Sequence, residues 1–253
     1  MKDGVNLHLF MYNKHMITFR IKLVNIVLEV NAFYELTKEY CKDYLTNEEP
    51  DYAITMSKED LENESSNSIE GHVYVSEEIS ALYRKIADLF VDNNIVVFHG
   101  SSFKVGNYAY IVTAKSGTGK STHVKLLETL LGNEFSYIND DKPLLEVNDD
   151  VTLYSSPWNG KERRGNCVHA PLKSVIFLNR GETNTYKKLD NSEEVYFRLL
   201  SQIYLPKQKD KREKALKLID ILLGSVSFYE INVNMNISAA KMTYERIIKD
   251  EIK

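Results

Sequence analysis

Apolar positions recur with two periods along this chain, and the change of period marks the elements. Residues 16–30 carry β-branched and apolar residues in a strand-like pattern, 32–44 space them as an amphipathic helix, and 52–56 alternate as a short strand. Residues 57–71 are acidic and polar and predict an exposed loop or hairpin. A further short strand is expected at 73–75. Residues 77–91 then place Ile79, Leu82, Ile86 and Leu89 or Phe90 on one helical stripe that ends at Asp92-Asn93-Asn94, residues that favour a turn. The expected division is therefore a small N-terminal α+β lobe over residues 1–94 and a larger domain over 95–253.

In the second part, 95–98 is a fully apolar strand and 108–113 a second apolar one, 122–131 is a helix with Val124, Leu127 and Leu131 on one face, and Gly132 stops it. A strand at 135–138 ends at Asp140-Asp141. Residues 144–147 and 151–154 read as a hairpin around Asn148-Asp149-Asp150. The stretch 155–166 is too polar and Gly-rich for core and predicts a surface loop with a task. Strands at 172–178 and 183–189 (an edge strand) are followed by helices at 193–203 and 211–223, which Pro206 separates, then by a strand at 227–233 and a terminal helix at 239–252. The sum from residue 95 onward is α/β around a substantial sheet.

One stretch of this pattern carries chemistry. Residues 111–113 form a buried strand, Ala114-Lys115-Ser116-Gly117-Thr118-Gly119 a small-residue turn, and Lys120-Ser121-Thr122 a helix start. A backbone that curls this closely points its N–H groups at one anion, and the helix N-terminus adds partial positive charge. Lys120 then reaches phosphate and the Ser121 hydroxyl Mg²⁺, so a nucleoside triphosphate site follows. Ala114 stands where the usual pattern has its first Gly, the smallest departure a side chain allows. An ordinary Gly/Ser loop before a helix is the alternative.

Asp140 and Asp141 fall at a strand end one helix downstream, where ligands sit in parallel α/β sheets. One can hold Mg²⁺ and the other accept a proton from an attacking hydroxyl; an Asx-type turn before Pro143 is the bland alternative. His99, at another strand end, is a candidate phosphate ligand or orienting group if its strand neighbours the one feeding the loop. Arg163 and Arg164 offer rigid donor forks to an oxyanion, or are solvated charge. Neither His123 nor His169 has a partner visible in the sequence.

Composition narrows the partners. The chain has 253 residues, 43% hydrophobic and 27% charged, with a formal net charge of -4 and scattered basic residues, so it lacks the electrostatic footprint of a nucleic-acid or anionic-membrane binder. No run of 18 apolar residues could span a membrane. Cys41 and Cys167 match neither a disulfide framework nor a metal pattern, and a cytoplasmic protein with reduced thiols is expected.

Taken together, His99-Gly100, the A-K-S-G-T-G-K-S run from Ala114 to Ser121 and Asp140-Asp141 resemble the HPr kinase/phosphorylase-like family, which shares its nucleotide fold with ATP-dependent phosphoenolpyruvate carboxykinases. Ser156-Pro157-Trp158, Gly160-Lys161 and Tyr229-Glu230-Ile231 are similar to the HPr-kinase-related group. The resemblance implies a P-loop nucleotide-binding domain from residue 95 onward, with ATP and Mg²⁺ as cofactors. It implies Lys120 on the β- and γ-phosphates, Ser121 and Asp141 on the metal, Asp140 as the acid/base and His99 near the phosphates. Two functions remain open: a kinase phosphorylating a hydroxyl of a protein serine or small metabolite, and a non-catalytic ATP-binding accessory or sensor. A decarboxylating kinase acting on oxaloacetate fits less well, because the chain is much shorter than those enzymes. Related enzymes assemble, so a homo-oligomer is a further expectation, with the 211–223 helix supplying contacts.

Overall fold

The computed structural model describes residues 16–65, 74–160 and 162–252. The chain divides into two compact units between Ile86 and Ala87, a point inside the helix Tyr74–Val91.

In the first unit the pattern over 16–30 is a hairpin rather than one strand. Strands β1 (Ile17–Leu23) and β2 (Ile26–Ala32) pair antiparallel, and β3 (Tyr52–Thr55) adds parallel to β2. The turn between β1 and β2 carries Val24 at φ 56°, a conformation uncommon for a β-branched residue, so no Gly, Asn-Gly or Pro signal marked it. The helix expected over 32–44 is shorter: α1 (Glu35–Tyr40), followed by a 3₁₀ turn at Lys42–Tyr44, because Ala32 closes β2. Tyr34 gives α1 no side-chain cap. The buried Glu78 instead accepts the Phe33 and Tyr34 amides, at 2.6 and 3.2 Å, and the Thr37 hydroxyl.

Part of the stretch expected as a loop is helix α2 (Lys58–Ser65). Ser57 and Asp60 exchange hydrogen bonds at its start, Asp60 accepting the Ser57 amide at 2.7 Å and donating its own amide to the Ser57 hydroxyl at 3.2 Å, a capping box. Residues 66–73 lie outside the described residues. From Tyr74 the chain is helix α3 (Tyr74–Val91), which replaces the described part of the strand expected at 73–75. Its stripe buries Leu82, Ile86 and Phe90.

Among the described residues of the second unit, nine strands form a mixed, curled sheet in an α/β architecture. Strand β4 (Ile95–Val97) pairs with β8 (Leu144–Val147), β8 with β9 (Val151–Tyr154), and β9 with the first residues of the long β10 (His169–Arg180). The rest of β10 runs parallel to β6 (Tyr108–Thr113) and to β12 (Ser227–Val233). Beyond β6 lie β5 (Ser101–Val105), then β7 (Phe135–Asn139); the exposed β11 (Thr185–Lys188) pairs with β12. β5 was hidden from the pattern because two of its buried positions are Ser101 and Ser102.

Both faces of this sheet are covered, which explains why its central strands read as continuous apolar runs. Ile111, Val175 and Phe177 pack with Leu199, Ile219 and Leu222 of α5 (Ser192–Leu200) and α6 (Lys209–Ser225). Tyr110, Val112, Ile176 and Leu178 pack on the opposite side with Val124 and Leu127 of α4 (Lys120–Leu131) and with Ala239 and Ala240 of α7 (Ile237–Thr243). The terminal helix expected over 239–252 begins at Ile237 and contains a π turn, Tyr244–Ile248, before α8 (Lys249–Ile252). Each fully buried Ile or Val contributes about 1.5–3 kcal/mol, so this two-sided core fixes the strand register on which the cavity depends.

Candidate functional site

Four strand ends and one strand start meet at one edge of the sheet. β6 and β7 both run antiparallel to the β5 that separates them, and β10 and β12 run parallel to β6. The C-terminal ends of β6, β7, β10 and β12 therefore share an edge with the N-terminal end of β5. A cavity of about 570 Å³ opens there, within the range of small-molecule sites.

The loop leaving β6 lines much of it, through Ala114, Lys115, Ser116, Gly117 and Gly119, followed by Lys120, Ser121 and Thr122 at the start of α4. Gly117 and Gly119 have φ of 77° and 111°, the left-handed region that lets the backbone reverse over a few residues. A Cβ on Gly119 would also fall 2.9 Å from Met235 Sδ and Cε, so the segment after β12 packs directly against the loop. Thr118 is not among the lining residues; its amide and hydroxyl both turn back to the Lys115 carbonyl, at 3.2 and 2.7 Å.

Asp140, Asp141 and His99 line the same cavity. The Asx turn there belongs to Asn139, whose Oδ1 accepts the amides of Asp141 and Lys142 at 2.9 and 2.7 Å. Asn139 is buried and donates Nδ2 to the carbonyl and hydroxyl oxygens of Ser156 at 3.0 and 3.1 Å; the Ser156 hydroxyl donates to the Lys142 carbonyl at 2.6 Å. Asn159 accepts the Asp140 amide, and the Trp158 carbonyl that of Lys142. The first half of the expected surface loop, Ser155 to Asn159, is thus buried. Ser156, Asn159 and the Trp158 carbonyl hold the carboxylate turn.

Asp140 is 7% exposed and accepts the hydroxyl of the fully buried Ser101 at 2.6 Å. Burial raises its carboxyl above the ordinary range, against the Ser101 hydrogen bond and the charges of Lys120 and Arg164. Asp141 differs: Lys142 Nζ bridges both its oxygens at 3.0 and 3.1 Å, and His99 Nε2 lies 3.4 Å from Oδ1. Burial, with Lys142 and Lys120 nearby, pushes His99 down to about 4, against Asp141, so its ring is neutral at pH 7 and this contact is no charged pair. Burial also lowers Lys120, opposed by Asp141 and Asp140.

His99 reaches the loop by a route other than the expected one. Its own strand, β4, pairs with β8. The turn through Gly100 instead carries the chain into β5, where Ser101 pairs with Val112, and Thr113 Oγ1 lies 2.9 Å from the His99 carbonyl oxygen and 2.7 Å from Gln202 Oε1. A Cβ on Gly100 would stand 2.5 Å from Ile111 Cγ2, so this crossing needs glycine.

Arg163 and Arg164 are not among the lining residues. Arg164 is paired with Glu162 at 2.5 Å, lies 3.4 Å from Glu128, donates to the Tyr137 hydroxyl at 3.1 Å and sits over the Tyr137 ring. Arg163 is exposed, at φ 48°. Gly160, marked in the sequence only through Gly160-Lys161, lines the cavity, as do Glu162 and Arg180, which no motif marks. For Arg180 one signal existed: a basic residue ending a buried strand. His123 lies behind the loop, fully buried, with Nε2 3.1 Å from Thr243 Oγ1.

Fold and site thus define a mixed α/β protein whose curled sheet ends in a polar cavity of opposed lysine, arginine and carboxylate groups. No family model and no curated protein matches the chain. Among solved structures it is similar to the Hpr(Ser) kinase/phosphatase from Coxiella burnetii, at 10% identity over 62% of this chain and 90% of that one, with a TM-score of 0.35. No helix among the described residues is long and apolar enough to cross a membrane.

Proposed function

We propose that this protein is an ATP- and Mg²⁺-dependent kinase that transfers the γ-phosphoryl group to a hydroxyl of a protein serine or a small metabolite. One observation carries the reading: the glycine loop with Lys120 and the Asp140-Asp141 pair line a single cavity although 19 residues lie between Lys120 and Asp140. The residues fit the groups required. A loop with two positive-φ glycines before a helix start suits a triphosphate, and Lys120, desolvated beside two carboxylates, supplies the cation.

Ser121 and Asp141 would hold Mg²⁺, with phosphate oxygens and water completing its shell; because Lys142 already bridges Asp141, the ion would compete with that ammonium. The bound ion would neutralise charge on the transferred group. Asp140 serves as base: Ser101 holds Oδ1, Oδ2 takes the acceptor's proton, and the acceptor oxygen forms the new P–O bond as ADP leaves. Burial makes this carboxylate more basic than an exposed one, while the Ser101 hydrogen bond and the charges of Lys120 and Arg164 favour its ionised form. Neutral His99 beside Asp141 acts as a hydrogen-bonding group.

Incubation with γ-labelled ATP and Mg²⁺, against lysate or a metabolite panel, tests the proposal. The wild type is expected to label an acceptor, and Asp140→Asn to lower transfer by about 10³-fold while nucleotide affinity stays within about threefold. Undiminished transfer by Asp140→Asn removes the assigned base. Bound but unchanged ATP in the wild type instead favours the accessory or sensor reading.

A further inference from the structure

Strand β10 outruns its neighbour. Its pairing with β6 ends at Phe177↔Thr113, where β6 gives way to the glycine loop, whereas its pairing with β12 continues to Arg180↔Val233. Ile176 and Leu178 face the core layer that contains Val124 and Leu127 of α4. Alternation puts Arg180 on that same face, two residues further on, where core has ended and the loop passes.

Its guanidinium meets the loop with two donors. Nε donates to the Thr118 carbonyl at 2.8 Å and Nη2 to the Gly117 carbonyl at 3.1 Å, so one planar fork grips two successive peptide groups. In a trans peptide the N–H points away from the C=O; pinning these two carbonyls therefore fixes the directions of the Thr118 and Gly119 amides. The Thr118 amide is absorbed by Lys115 within the turn. Gly119 is the residue whose orientation then matters most, at the last step before α4.

We propose that Arg180 is a positioning residue that holds the glycine loop in its anion-receiving form before ligand arrives, so that nucleotide affinity depends on its two-carbonyl grip. This rests on the nucleotide reading above. A loop of small residues with two positive-φ glycines samples many conformations when unrestrained, and each productive encounter must then order it; a loop already held binds without that cost. Lysine at this position keeps the charge but presents a single ammonium in place of a rigid fork.

The test compares wild type with Arg180→Gln and Arg180→Lys in the full chain, by amide hydrogen exchange without ligand and by MgATP titration and steady-state kinetics. Both variants are expected to exchange faster in the loop peptide over 114–122, with β6 and β10 unchanged, and to raise the Kd and KM for ATP roughly tenfold while kcat changes less than about twofold. Unaltered loop exchange in Arg180→Gln overturns the positioning role. Wild-type behaviour of Arg180→Lys overturns the two-carbonyl grip and leaves only charge. If the wild type binds no nucleotide while Arg180→Gln still loosens the loop, the nucleotide reading fails and the mechanical hold survives.

Discussion

At the scale of single residues, the site turns on partners that set the state of each ionisable group. Asp140 is the clearest case, because burial and the Ser101 hydroxyl act on it in opposite directions. Ser101→Ala removes the donor and leaves only the charges of Lys120 and Arg164 against burial, so the carboxyl moves further up in a carboxyl-carbon NMR titration. A base works when deprotonated, so the acid-side fall of the phosphoryl-transfer rate should shift to higher pH by the same amount. An unmoved Asp140 titration would show that Ser101 only packs. The motif residues Lys120, Asp140 and Asp141 were legible because strand, loop and carboxylates stand in a recognisable order. Ser101, Asn139 and Glu162 were not, because their types are ordinary and only the fold reveals what each one touches, and Arg180 showed only as a basic residue ending a buried strand.

Elements were legible where the apolar period was strong and illegible where a polar residue supplied the pattern's missing member. The hairpin of β8 and β9 and the buried run of β10 follow directly from the sequence. The turn at Val24 and the strand β5 do not, one because a valine occupies a glycine-like conformation, the other because serines sit at core positions. The capping box of Ser57 and Asp60 was present in the sequence, but the acidity of the stretch masked it.

The glycine loop gives a test at this scale. Gly119→Ala forces a side chain to φ 111° and into Met235, whereas Gly117→Ala meets only the strain of φ 77° in open space. The first should cost about 2–3 kcal/mol in urea unfolding and abolish MgATP binding; the second should cost about 1 kcal/mol. Adding Met235→Ala should recover part of the loss in Gly119→Ala and none in Gly117→Ala. Equal effects of the two single substitutions would mean that the Met235 contact is immaterial.

For the whole molecule, α4 is tied to the C-terminal helices through a buried neutral histidine. His123 Nε2 meets Thr243, whose hydroxyl donates to the Ala239 carbonyl, so Nε2 carries the proton, while Nδ1 has no partner among the described residues. Burial pushes His123 down to about 4 from 6.5. Above pH 6.5 the folded and unfolded chains both hold it neutral. Between 6.5 and 4 the unfolded chain binds a proton that the folded one refuses, so stability falls as pH falls, by at most ~1.4 kcal/mol per pH unit for this group. His99, depressed in the same way, adds to the slope. Urea unfolding across this range should show a shallower decline for His123→Gln than for wild type. Parallel curves would place the proton uptake elsewhere.

The sequence by itself determined the local chemistry: a buried strand delivering a small-residue turn, a lysine and a hydroxyl at a helix start, and a carboxylate pair after the next strand. Those are nearest-neighbour facts, set by period, glycine and side-chain type. Tertiary structure alone decided what faces them. β5 lies between β6 and β7 and reverses direction, which brings His99 and Ser101 to the carboxylates; β10 overruns β6 and brings Arg180 to the loop; Arg164 is turned to Glu162, Glu128 and Tyr137. Strand order and register come from packing two apolar faces at once, a condition on the whole sheet that no single stretch of sequence expresses.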